Sequence, residues 1–225
     1  MNLLRKLARN RSGVAMVEFA LGAPLILTAG LWGTETANLA LTHMKINQLA
    51  AQIADNASRI SEQSALQTHR VYEGDINDVF YGAQLQSGKL DLFRNGRVII
   101  SSLEVRPGGT SQYIHWQRCR GAKQAASSYG VEGQNLQHGM GPTGEEVTAL
   151  PDEAVIFVEV QFDYQPLISD KFIGSETIRS IASFTVRDER DLTQVYQQDP
   201  SAPDPIQSCS NYNGTISYSS SGQMT

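Results

Sequence analysis

Residues Val14–Gly33 read VAMVEFALGAPLILTAGLWG, 20 residues that carry a single charge, Glu18. An α-helix rises 1.5 Å per residue, so this run would extend about 30 Å, the thickness of one bilayer core. Arg5, Lys6, Arg9 and Arg11 crowd the residues before it with no acid among them, and no Lys or Arg follows until Lys45. By the positive-inside rule this asymmetry places the amino terminus in the cytoplasm and the rest of the chain beyond the inner membrane.

A secretory signal peptide has the same basic start and apolar core. Two features count against one here. Glu18 sits where a signal core should be free of charge, and no A-x-A site leads into a polar mature start. The following stretch, Thr28–Met44, simply continues as helix-compatible sequence. A charge within the bilayer costs on the order of 2.5–3.5 kcal/mol on insertion scales, which marks Glu18 as a functional candidate. The bland alternative is that Glu18, five residues into the span, snorkels to the interface.

The neighbours of Glu18 sharpen the choice. Gly13-Val14-Ala15-Met16-Val17-Glu18-Phe19 resembles a type IV prepilin cleavage motif in the form used by Flp/Tad prepilins. The wider string RSGVAMVEFALGAPLIL, Pro24 included, is similar to the opening of TadE/TadG-like minor pilins of the tight-adherence (Tad) pilus. The resemblance implies a basic leader removed by a prepilin peptidase between Gly13 and Val14. Glu18 then becomes the fifth residue of the mature chain and Phe19 the sixth. In the assembly that the resemblance implies, Glu18 of one subunit pairs with the new α-amine of Val14 on a neighbour. Pro24 removes one backbone hydrogen bond and usually kinks a helix, as a harmless bend or as a hinge.

Beyond the apolar run, Thr36–Ile60 contains neither Gly nor Pro. Leu39, His43, Ile46, Ala50, Ile53, Ala57 and Ile60 fall at alternating steps of four and three, a narrow stripe of helical period. One helix from Val14 to about Ser64 is expected. Its stripe can pack on the chain's own soluble domain, the reading favoured here, or on another subunit.

From about Gln67 the pattern changes. Residues 74–93 are ambiguous, with room for a short helix. Arg97–Val105 reads as a strand, Pro107-Gly108-Gly109 as a turn, and Tyr113–Cys119 as the returning strand of a hairpin. Gly121–Pro151 is polar and rich in Gly and Ser, a long excursion of the kind that is usually functional or mobile. In Glu153–Gln165, Ile156, Val158, Val160, Phe162 and Tyr164 alternate with Glu159, Gln161 and Asp163, the pattern of a half-solvated antiparallel strand. Thr177–Arg187 reads as a fourth strand. The tail from Asp199 is rich in Ser, Pro, Asn and Gly and reads as disordered or as a surface strap. Helix first and antiparallel sheet after gives an α+β fold class. The expected organisation is a leader over 1–13 and a helix over 14–64, transmembrane over about 14–35. An extracytoplasmic domain over 65–198 and a flexible tail over 199–225 follow.

The resemblance extends more loosely into this domain. Phe157–Ile168, FVEVQFDYQPLI, is similar to the strand-and-proline segment of TadE-like proteins. Arg179–Arg190, RSIASFTVRDER, resembles their closing strand, and Ile114–Cys119, IHWQRC, a Trp-x-Arg-Cys segment of some relatives. There is no room for the large adhesion domain of longer TadG-type proteins, which favours the shorter TadE-like type.

Cys119 and Cys209 are far apart and form no CxxC pair, which argues against a zinc site. In an oxidising compartment they can close one long loop, and in the cytosol they would be two thiols. A disulfide would pin the tail to the sheet. Formal net charge is −5, which does not suggest a nucleic-acid partner. No GxSxG, HExxH, P-loop or strand-placed GxGxxG occurs. His43, His69, His115 and His138 are scattered. Asp75 with Asp78, and Asp188 with Glu189 and Asp191, are acidic runs that do not match an EF-hand loop and read as solvated faces. The chain is therefore read as a structural pilus component and not an enzyme, with no cofactor and no metal. Its expected partners are other pilin and pseudopilin subunits, the prepilin peptidase, the inner-membrane Tad assembly platform and the membrane itself. The alternatives are an unprocessed membrane-anchored periplasmic assembly factor and a signal-anchored periplasmic enzyme.

Overall fold

The computed structural model describes residues 12–60, 69–187 and 190–214. Helix α1, Ser12–Ser58, is a single run of 47 residues with Pro24 inside it. It is followed by α2 (Glu73–Ser87), a 3-10 turn (Gly88–Leu90) and the short α3 (Leu92–Asn95). The strands are β1 (Gly96–Val105), β2 (Gln112–Arg120), β3 (Asn135–Leu136), β4 (Ala154–Asp163) and β5 (Thr177–Thr185), with the four-residue α4 (Asp170–Ile173) between the last two. The five strands form one antiparallel sheet in the order β3-β2-β1-β4-β5. The fold is α+β, and the four longer strands fall where alternation and turn residues place them. The chain forms two compact units, one of residues 1–41 with 165–175, the other of 42–164 with 176–225.

The larger unit is built on the rear of α1. Ile46, Leu49, Ala50, Ile53, Ala54 and Ala57 are all within 1% of complete burial, so the stripe is the seam by which α1 packs against the sheet. Leu39 and His43 at its start are half-buried. The helix ends at Ser58, Arg59–Ile60 form a turn, and the expected last residues, 61–64, lie outside the described residues. The ambiguous segment after it folds as α2, whose Phe80 packs edge-on against Phe93 at 6.0 Å between centroids.

The two faces of the sheet differ. Val98 and Ile100 of β1, Ile156, Val158, Val160 and Phe162 of β4, and Ile178 of β5 are 0–1% exposed on one face. The other pairs Arg97 with Gln161, Ile99 with Glu159, Ser101 with Phe157 and Leu103 with Val155. The alternation in β4 predicted that this second face meets water, and it does not: Glu159 is 3% and Gln161 6% exposed. The reason is the Gly121–Pro151 excursion, which roofs it. Ser127 donates its hydroxyl and Ser128 its N–H to the Glu159 carboxylate, and Gln161 donates to the Ala126 carbonyl. Gln117 donates to Ser101 Oγ and to the Gly130 carbonyl. At the far end the roof adds Met140 and Ala149 to an apolar cluster with Leu103, Ile114, Val155 and Phe157. The roof starts at Gly121, whose φ of +131° and closeness to the Gly96 carbonyl (2.2 Å from an added Cβ) leave room only for glycine.

The described part of the tail is a strap. Cys119 N–H donates to the Gln207 carbonyl and Gly121 N–H to that of Asn213. Cys119 and Cys209 are joined by a disulfide across 90 positions. Arg97, 1% exposed, donates to the carbonyls of Gly121, Asn211 and Cys209, and its guanidinium lies 4.1 Å from the Tyr212 ring. Burial pushes the Arg97 pKa down. Carbonyls and an aromatic face thus replace the water that this charge has lost.

Candidate functional site

The residues singled out in sequence lie on the front of α1. Gly13 through Thr34 are exposed, apart from half-buried Gly22 and Ala23. Val14 is 57%, Met16 72%, Phe19 72%, Leu25 74% and Ile26 74% exposed. A large apolar surface on a single helix marks a surface that membrane or another protein covers. α1 is long and apolar enough to cross a membrane.

Local detail fits an apolar surround. Thr28 donates its hydroxyl to the Pro24 carbonyl at 2.7 Å, Thr34 to that of Gly30 at 2.9 Å and Thr36 to that of Trp32 at 2.9 Å. Each hydroxyl is thereby satisfied inside the helix, as a lipid environment requires. Pro24 stands within α1 without ending it. A Cβ added at Gly13, Gly22, Gly30 or Gly33 would meet nothing within 4 Å. The fold therefore does not require glycine at position 13. Val14 and Glu18 are four residues apart on the helix, so both lie on one face, with Phe19 next to it. The basic residues 5–11 lie outside the described residues.

One residue that joins the helix to another element was missed. Glu35 is the first charge after Glu18, placed just past the apolar run, and it is fully buried. Its carboxylate accepts the N–H of Leu167 at 3.0 Å and of Ile168 at 2.7 Å. The helix thereby clamps the tip of the β4–β5 connection. The available signal was its position as the first carboxylate past the apolar run.

The remaining candidates do not come together. Asp75 accepts the Tyr72 N–H at the start of α2, and burial pushes its carboxyl up. Asp191 is taken up by Thr193 and Tyr196, whose hydroxyls hold its pKa down. Asp188 and Glu189 lie outside the described residues. Among the described residues no three metal-ligating side chains gather in one place. His115 Nδ1 lies 2.9 Å from Glu104 Oε2, and Ser102 donates to Glu104 Oε1 at 2.6 Å. Imidazole and hydroxyl both address the carboxylate, an order unlike that of a nucleophile activated by a base. Arg118 is held by buried Glu73 and by Glu132, joining β2, α2 and the roof.

Comparison with protein-family models, with curated proteins and with solved structures found no match.

Proposed function

We propose that this chain is a minor pilin or pseudopilin of a tight-adherence pilus, with a structural rather than a catalytic role. The observation that carries the reading is the division of one continuous helix into an exposed apolar front and a packed rear. Such a helix can hold a folded domain to a membrane and later exchange lipid for neighbouring helices. The prepilin peptidase cuts between Gly13 and Val14. Gly13 fits a recognition role because nothing in the chain's own packing demands it. The inner membrane holds the helix with its amino terminus in the cytoplasm, and the sheet domain lies in the periplasm. The Cys119–Cys209 disulfide suits that oxidising side.

Cleavage would expose an α-amine on Val14, a group with an ordinary pKa near ~8 and so mostly cationic at neutral pH. Withdrawn from water, it needs a counter-ion, and Glu18 of the adjacent subunit supplies one. Attraction in low dielectric is offset by desolvation, so the pair sets the stagger between subunits more than it adds stability. Other pilin subunits and the Tad assembly platform are the partners, and adhesion and biofilm formation are the outcome. Glu18→Gln tests this. The variant should be cleaved and remain in the membrane, yet be missing from sheared filaments. Normal incorporation of Glu18→Gln into filaments would refute the pairing.

A further inference from the structure

Within the β4–β5 connection, Gln165–Ser175 reads QPLISDKFIGS, with Asp170 and Lys171 as the charges of that stretch and Glu176 directly after it. It belongs to the same compact unit as the front of α1. Its tip is apolar and turned outward: Leu167 is 66% and Ile168 38% exposed, while Phe172 and Ile173 are half-buried. The Leu-Ile pair adds to the exposed apolar surface of the front of α1, which belongs to the same unit. The backbone N–H groups of the same two residues are held by fully buried Glu35. Glu35 stands three residues, close to one helical turn, beyond Trp32, which is 54% exposed at the end of the apolar run. Tryptophan is enriched at the level where hydrocarbon meets headgroups. The clamp therefore fixes the loop tip at that level.

We propose that the tip, Leu167 and Ile168, is a second membrane contact, seated in the outer boundary between headgroups and acyl chains, with Glu35 as the residue that positions it. Continuity with the exposed apolar span, and a tip made of Leu167 and Ile168 with no charge on either, favour lipid as its occupant over a charged partner surface. Glu35 acts by satisfying two amide donors that lipid would leave unpaired. A helix alone can rotate about its axis in the bilayer, and a second contact to one side of it fixes that rotation. The inference rests on α1 spanning the membrane.

The test uses the full chain with its native disulfide intact, reconstituted into phosphatidylcholine–phosphatidylglycerol vesicles. A fluorophore is attached at Leu167→Cys, at Leu25→Cys in the span, or at Val131→Cys, exposed on the roof. Some vesicles carry lipid with a nitroxide near the headgroup end of its acyl chain. At Leu25 and Leu167 the nitroxide should cut emission at least twofold, and at Val131 it should have little effect. Adding Glu35→Ala should return Leu167 to the Val131 level while Leu25 stays quenched. If Leu167 behaves like Val131 while Leu25 is quenched, the loop contact is wrong and the membrane span stands. A Leu167 probe shielded from water yet unquenched by the lipid nitroxide means that protein covers the tip, which also overturns the proposal. Quenching at neither Leu25 nor Leu167 overturns the span and the loop contact together.

Discussion

From Val14 to Trp32 helix α1 exposes more than half of nearly every large apolar side chain, and from Ile46 to Ala57 it buries its whole apolar stripe. The backbone is continuous through both. What differs is the distribution of apolar residues around the axis. In the front they surround it, so no single packing face exists and the surface must be met by something outside the chain. In the rear they keep to one stripe, with polar residues between, and the chain's own sheet meets that stripe. Apolar residues thus leave a surface to be covered from outside in one half and build the folded core in the other.

Changes confined to the sheet unit should move folding without moving membrane retention, and the reverse. The largest effect is expected from the disulfide. Closing a loop of this length adds about 4–5 kcal/mol in the chain-entropy model. Cys119→Ser with Cys209→Ser should lower the denaturation midpoint of the sheet domain sharply and leave the chain in the membrane pellet after alkaline carbonate extraction. Release from the membrane would break the separation of the two halves.

Next is a matched pair on the same helix. Ile53→Ala, at a buried position, should cost about 2–5 kcal/mol of domain stability. Leu27→Ala, at an exposed one, should change that stability by less than about 0.5 kcal/mol. Denaturant titration in detergent compares them, and equal losses would mean that the front also packs on the domain. Ile26→Arg makes the opposite cut. A cation at the span's centre costs about 2.5–3.5 kcal/mol on insertion scales, so the membrane-bound fraction should fall while the domain's midpoint holds.

The smallest effect concerns the roofed face. Burial is the main influence on Glu159 and pushes its carboxyl above the ordinary 4.5, against the hydrogen bonds from Ser127 and Ser128 that pull it down. A folded-state pKa raised in this way stabilises the fold below about 4.5 and loses that contribution as pH rises through the folded value. Glu159→Gln should therefore gain stability relative to the wild type as pH rises from about 4 to 7, read as a higher denaturation midpoint at pH 7. A wild-type advantage at pH 7 would show that the ionised carboxylate is better held there than burial suggests.

Much of this was legible in the sequence, for reasons particular residues make plain. Helical period gave the stripe from Ile46 to Ala57, and alternation with turn residues gave the four long strands. The roof was not legible. Glu159 and Gln161 have the polarity of a wet face, and the roof that makes it dry, donating from Ser127 and Ser128 to Glu159 and accepting from Gln161 at the Ala126 carbonyl, lies more than 30 positions away. Asn135–Leu136 is too short to show a period. The Cys119–Cys209 link was readable as one of two states, with the compartment deciding. Glu35 was missed because its partners are backbone amides at positions 167 and 168, and an amide leaves no mark in sequence.

The most direct measurement is the amino-terminal residue and intact mass of the chain from native membranes and sheared filaments, in hosts with and without the prepilin peptidase. The account predicts a chain beginning at Val14, and loss of that processing in the peptidase mutant and in Gly13→Ala. A chain still beginning at Met1 in peptidase-competent cells would contradict it and leave a plain membrane anchor. A start beyond Gly33 would contradict the anchor as well.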